Sequence, residues 1–216
     1  MNILLKTYEN SNSNKSFQKE RESFLWGFIG HNRTGKSVTA AQLAKDWKEG
    51  HPDGVVMSFD PQRRFADVTD FPIKLSNSNW EDDICDLRNA LLILDELRII
   101  HPSAKCSDKF REFLQMRGEH NVDCMYIVHN PALVLNDLTY FTTHYFIYYT
   151  QAKLGGFEKK MPNYWLCYGA SQFVNKYVKT FGKGEYPNFP YMVVENETEE
   201  MYGINMPKAS VDEINT

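Results

Sequence analysis

The chain has 216 residues and a net charge of −4, and its 42% hydrophobic content suffices for a full core. That length suits one α/β domain with additions, not two independent domains, and that charge excludes bulk attraction to nucleic acid. Four scattered cysteines without a CxxC pair exclude a disulfide frame and a zinc site, and read as reduced thiols in a cytosolic protein.

The six histidines show no metal-ligand spacing. No signal-peptide run opens the chain, and no stretch approaches the ~20 apolar residues of a membrane span. Residues 1–23 hold Ile3-Leu4-Leu5 and then a polar run, and read as an N-terminal arm. Such an arm either has no role or makes an oligomer contact.

Phe24 to Ile29 is apolar and predicts the first buried strand. Gly30 to Ser37 then fits G-x-x-x-x-G-K-[ST], the phosphate-binding P-loop. Gly30 and Gly35 allow a tight turn, and His31, Asn32, Arg33 and Thr34 form an anion-binding nest of amides between them. The helix that follows, through Val38, adds its positive end. In this motif Lys36 reaches the β- and γ-phosphates of ATP, and the Ser37 hydroxyl holds Mg²⁺. Val38, Ala41, Ala44 and Trp47 predict the buried stripe of the helix Ser37 to Glu49.

Val55 to Asp60 predicts a second strand ending at Pro61, with Asp60 either near the nucleotide or capping the turn. Arg63 and Arg64 in the following loop read as solvated charge. Trp80 to Arg88 predicts a helix. Leu91 to Leu94 is a central parallel strand by its apolar run, ending in Asp95-Glu96. Asp95 there can bind Mg²⁺ through water, and Glu96 can polarise a water for attack on the γ-phosphate.

A helix near Ser107 to His120 carries Phe110, Phe113 and Leu114 on one face, with Arg117 continuing that face. Arg117 either snorkels to solvent or reaches a phosphate in a neighbouring subunit. Val122 to Val128 is a fourth strand ending in His129-Asn130-Pro131, where a polar group can sense the γ-phosphate or simply make a turn. Tyr145 to Tyr149 is a fifth strand. Lys153, Lys159 and Lys160 lie in a loop that is either solvated or a nucleic-acid contact. Tyr164 to Tyr168 reads as a strand, Phe173 to Phe181 as a short helix, and Tyr191 to Val194 as a strand. The organisation is an arm (1–23), a P-loop core (24–150) and a C-terminal extension packed on it (151–216).

The P-loop, the strand ending Asp95-Glu96, the following Arg98 to Pro102 and the strand ending His129-Asn130-Pro131 together resemble the additional-strand catalytic glutamate class of P-loop ATPases. Within that class the chain is similar to the HerA/FtsK superfamily. The likeness is to genome-packaging ATPases of membrane-containing viruses and to Zot-like phage assembly ATPases, over Phe24 to Tyr149. The resemblance implies a RecA-like α/β fold with a mostly parallel sheet flanked by helices. It also implies ATP-driven DNA movement through a homo-oligomeric ring, most often a hexamer, with an arginine finger given by the next subunit. Arg117 matches that arginine best, and Arg111 is the alternative. The family usually carries glutamine where His129 stands. The strand form of the DNA stays open. The implied location is the host cytoplasm, with the virion and a vertex protein as further associations.

Rival readings are a GTPase, which lacks its Asn-Lys-x-Asp motif here, a kinase, which Glu96 disfavours, a Zot-like assembly or export ATPase, and a slowly hydrolysing nucleotide-gated scaffold. Zot-like proteins usually add a membrane segment, so its absence favours the packaging motor.

Overall fold

A computed structural model describes residues 23–74, 80–100, 105–151 and 161–206. The N-terminal arm before Ser23 and the loop lysines Lys153, Lys159 and Lys160 lie outside the described residues. His101 and Pro102 do so as well.

The strands are β1 (Leu25–Ile29), β2 (Val55–Phe59), β3 (Phe71–Pro72), β4 (Ala90–Asp95), β5 (Val122–Val128), β6 (His144–Ile147), β7 (Tyr191–Glu195) and β8 (Glu200–Ile204). The helices are α1 (Lys36–Gly50), α2 (Trp80–Cys85), α3 (Leu97–Ile100), α4 (Asp108–Met116), α5 (Asn136–Phe141) and α6 (Tyr164–Phe181). One sheet runs β3-β2-β4-β5-β1-β6-β7-β8. From β3 to β6 all pairs are parallel, while β6-β7 and β7-β8 are antiparallel. Six of these strands match sequence expectations. β3 and β8 escape them, because β3 has two residues and β8 mixes charged, glycyl and apolar positions.

Side-chain alternation divides the core into two layers. Leu25, Leu92, Leu94, Cys124 and Tyr126 face one side, under α2, α4, α5 and α6. Trp26, Phe28, Leu91, Ile93, Met125 and Ile127 face the other, against α1 and Phe65. Every residue of β4 is buried, which explains its unbroken apolar run. The buried stripe of α1 is Ala40, Leu43, Ala44 and Trp47, not one starting at Val38. Val38 and Ala41 are half-buried and line a cavity, with Ala41 also packed on the edge of the core. Two further expectations change. The segment from Tyr164 opens α6 rather than a strand, and its Leu166, Cys167 and Ala170 pack inward at helical spacing. The helix at Trp80 stops at Cys85, short of Arg88.

Asp123 anchors this arrangement from inside the sheet. Its buried carboxylate accepts the Trp47 indole Nε1–H at 2.6 Å and the Phe24 amide at 2.8 Å. One acid therefore joins α1, β5 and the entry to β1.

Candidate active site

β1 delivers the chain into the P-loop between its two parallel neighbours. The Gly30 amide donates to Val128 O at 3.3 Å, and the His31 amide to Tyr149 O at 2.8 Å. Gly30 is required by close approach: a Cβ there would stand 2.6 Å from Tyr148 Cβ. The left-handed turns come at Arg33 (φ 60°) and Gly35 (φ 94°). Only Gly35 adopts its conformation without a Cβ penalty.

The P-loop residues Asn32 to Val38 line a cavity of about 1160 Å³. Glu96 and His129 line the same cavity from the ends of β4 and β5, and Gln62 and Arg64 from the loop after β2. Its far wall is C-terminal: Tyr186 to Phe189, Tyr191, Ile204 and Asn205.

The Lys36 ammonium is buried and donates to His31 O at 2.7 Å, beside the Thr34 hydroxyl, which donates to the same carbonyl at 2.8 Å. Burial pulls Lys36 down to about 8, against the opposing pull of Asp95 and Glu96. Asp95 is fully buried, and neither carboxylate oxygen completes a hydrogen bond among the described residues. Burial pushes it up to about 6, opposed by Arg64 and reinforced by Glu96 and Asp60. Glu96 holds a left-handed backbone (φ 61°), and its Oε1 is bonded to His129 Nε2. The other ring nitrogen of His129, Nδ1, is buried without a partner among the described residues. A non-glycine residue in this conformation is strained, and strain of this kind concentrates where a side chain must be aimed.

A buried carboxylate whose oxygens complete no hydrogen bond among the described residues, near the hydroxyl that opens α1, is a donor set suited to a hard divalent cation. Ser37 and Asp95 are the residues that would hold Mg²⁺. A cation already stands there: Arg64 Nη1 donates to Ser37 Oγ at 2.5 Å and lies 3.6 Å from Asp95 Oδ2. Sequence reasoning gave Arg64 to solvent. The signal it lacked is the fold of the loop, in which Asp60 accepts the Phe65 amide at 2.6 Å and the Gln62 amide at 3.2 Å. Asp60 thus caps its own turn. Likewise Asn130 Oδ1 accepts the Ala132 amide at 2.9 Å, the turn role weighed for it.

Arg117 is the site residue that the structure sets apart. It lies at the end of α4 and the amino ends of β1 and β5, opposite the P-loop edge. Its guanidinium is turned inward, donating to Ser23 O at 2.8 Å and Phe141 O at 3.3 Å. The side chain follows the apolar face of α4 into the interior, so it neither snorkels nor reaches outward. Arg111 is partly exposed and pairs with Asp137 and Asp108, each at 3.3 Å.

Parallel β5 separates the P-loop strand β1 from the Asp-Glu strand β4. That order, with Lys36, Asp95 and Glu96 at the carboxyl edge, defines an α/β P-loop NTPase fold. No model of a protein family matches the chain, and no curated protein does. Solved structures do. The DNA-packaging ATPase B204 from Sulfolobus turreted icosahedral virus matches with a TM-score of 0.63 at 12% identity, over 84% of this chain and 96% of that one. The genome packaging NTPase B204 from Sulfolobus turreted icosahedral virus 2, in complex with ATP-gammaS, matches with a TM-score of 0.65 at 10% identity, over 84% and 96%. The chain is similar in fold to these viral packaging NTPases.

Proposed function

We propose that the chain is an ATP-hydrolysing motor that moves DNA, of the viral genome-packaging kind. One observation carries the hydrolase reading: Lys36, Ser37, Asp95, Glu96 and His129 converge on one strand edge, with Glu96 facing the P-loop cavity. Support for packaging comes from the fold, since the two B204 proteins are named as packaging NTPases.

The P-loop amides and Lys36 would bind the phosphates of ATP and carry the charge that develops on the transferring phosphoryl group. Mg²⁺, when bound, neutralises the phosphate oxygens. Glu96 orients the attacking water and accepts its proton, for which its carboxylate must be released from His129. His129 is then the group that registers whether the γ-phosphate is present. In a ring, Arg111, at the surface, is the better placed of the two arginines to act in the next subunit. The working assembly would be a homo-oligomeric ring in the host cytoplasm or on the virion.

The test is steady-state ATP hydrolysis at fixed salt, alone and with single- or double-stranded DNA. The motor reading requires stimulation by one strand form, and its loss in Glu96→Gln. A low rate indifferent to DNA would replace the motor with a nucleotide-gated assembly protein.

A further inference from the structure

Arg64 has a place that neither the P-loop motif nor the Asp-Glu strand requires. The loop after β2 brings it there. The Asp60 carboxylate caps the turn through two amides, Arg63 reverses the chain at φ 55°, and Phe65 is buried in the core against α1. With both neighbours fixed, the Arg64 side chain is directed at the P-loop. Its Nη1 donates to Ser37 Oγ at 2.5 Å and faces Asp95 Oδ2 at 3.6 Å, while Nη2 is held by the Gln62 side-chain oxygen.

This differs from a surface ion pair, because its acidic partner is fully buried and neither of its oxygens completes a hydrogen bond among the described residues. A buried carboxylate with no counter-charge is costly. The two oxygens that Arg64 bridges are also the pair that would hold the divalent cation of a bound nucleotide. Like charges within about 4–6 Å strongly disfavour one another, so guanidinium and metal ion exclude each other from this place.

Resting on the nucleotide-site reading, we propose that Arg64 is a placeholder cation. It fills the seat between Ser37 and Asp95 while the seat lacks a metal, and leaves when a divalent ion enters. Metal affinity without nucleotide is thereby held low, and the loop after β2 moves with the occupancy of the site.

The test is Mn²⁺ binding to the full chain without nucleotide, followed by electron paramagnetic resonance of the free ion. Arg64→Gln should bind Mn²⁺ about tenfold or more tightly than the parent. Arg64→Lys, which keeps the charge, should stay close to the parent. The gain should vanish in Arg64→Gln/Asp95→Asn, placing the ion at that carboxylate. An unchanged or weaker affinity in Arg64→Gln overturns the proposal, as does a gain that survives Asp95→Asn. Thermal melts establish that each variant is folded, and a misfolded Arg64→Gln is replaced by Arg64→Met. ATP binding by the parent, lost in Lys36→Ala, is measured alongside. If ATP fails to bind, the nucleotide reading falls on its own. If ATP binds and Mn²⁺ affinity is indifferent to Arg64, only the placeholder falls.

Discussion

The Phe189 ring lies directly on Gly35: a Cβ at Gly35 would stand 2.4 Å from Phe189 Cδ2. The C-terminal segment therefore closes over the P-loop at the one residue of the motif whose left-handed φ of 94° needs glycine. Gly35→Ala meets two penalties, the ring and a backbone cost of about 1–2 kcal/mol. It should lower the melting temperature and remove stabilisation by ATP. Phe189→Ala in the same chain should recover only the steric part. Melting curves with and without ATP check both.

Glu96 and His129 are bonded to each other across the ends of β4 and β5. Glu96→Gln should keep ATP binding and lower turnover by about 10²–10⁴-fold, the usual contribution of a general base. His129→Ala frees Glu96 but removes the proposed γ-phosphate sensor. Its expected result is turnover that no longer responds to DNA, while ATP still binds. Single-turnover hydrolysis alongside equilibrium binding separates the two variants. Normal turnover in Glu96→Gln removes Glu96 from this role.

Lys36 titrates near 8 because burial penalises its charge. Phosphate binding favours the ammonium, so the affinity for ATP should be flat below pH 8. Above it, affinity should fall by about tenfold per pH unit, with proton uptake on binding. The stability effect has the opposite sense. Lys36 loses its proton more readily folded than unfolded, so the cost of its buried charge is present below pH 8 and relieved as pH rises further. Calorimetry in buffers of different ionisation enthalpy measures the proton uptake.

Asp95, pushed up to about 6 by burial, is a second group held at a cost. A carboxyl that binds its proton more tightly folded than unfolded loses stability as pH rises from about 4 to 6. The charged form at pH 7 then costs on the order of 1–3 kcal/mol, less whatever Arg64 returns. Asp95→Asn should therefore raise stability in urea at pH 7 while abolishing metal-dependent turnover. Near pH 4 the stability difference should close.

Arg117 carries two backbone carbonyls from the interior. Arg117→Ala should destabilise the fold in urea unfolding, by about 1–3 kcal/mol for each buried carbonyl left without its donor. Activity per folded molecule should then change little. Arg111→Ala should change stability little, because its ion pairs lie at the surface. A loss of turnover in Arg111→Ala, restored by mixing with Glu96→Gln subunits that supply Arg111, would assign it the role across a subunit boundary.

What the sequence disclosed followed from strong local signals. Gly30 to Ser37 combines a spacing with a required strand and helix, and Leu91 to Leu94, an unbroken apolar run bounded by acids, reads as a strand buried on both faces. What it hid was set by tertiary placement. Arg117 was legible as the continuation of an apolar face, but not as a guanidinium spent on Ser23 and Phe141, which are remote in sequence. Arg64 looked like one of two loop arginines, because nothing local says that Phe65 would be buried and Arg64 turned toward Ser37. The Tyr186 to Phe189 wall was hidden for the same reason: its partner, the P-loop, lies some 150 residues earlier.

The strand that feeds the P-loop is tied at both ends. Asp123 holds its entry through the Phe24 amide, and Val128 and Tyr149 carbonyls take the amides at its exit. Along its length it is flanked by β5 and β6, and Gly27 leaves room for the Tyr126 phenol, which shares a hydrogen bond with Thr142. Its amides, paired on both sides within the sheet, should be among the slowest to exchange with solvent, whereas the loop bearing Arg64 is held by a few exposed bonds. The expected consequence is a gradient of local stability across one binding site: a phosphate floor resistant to opening, facing a side wall that opens at lower cost.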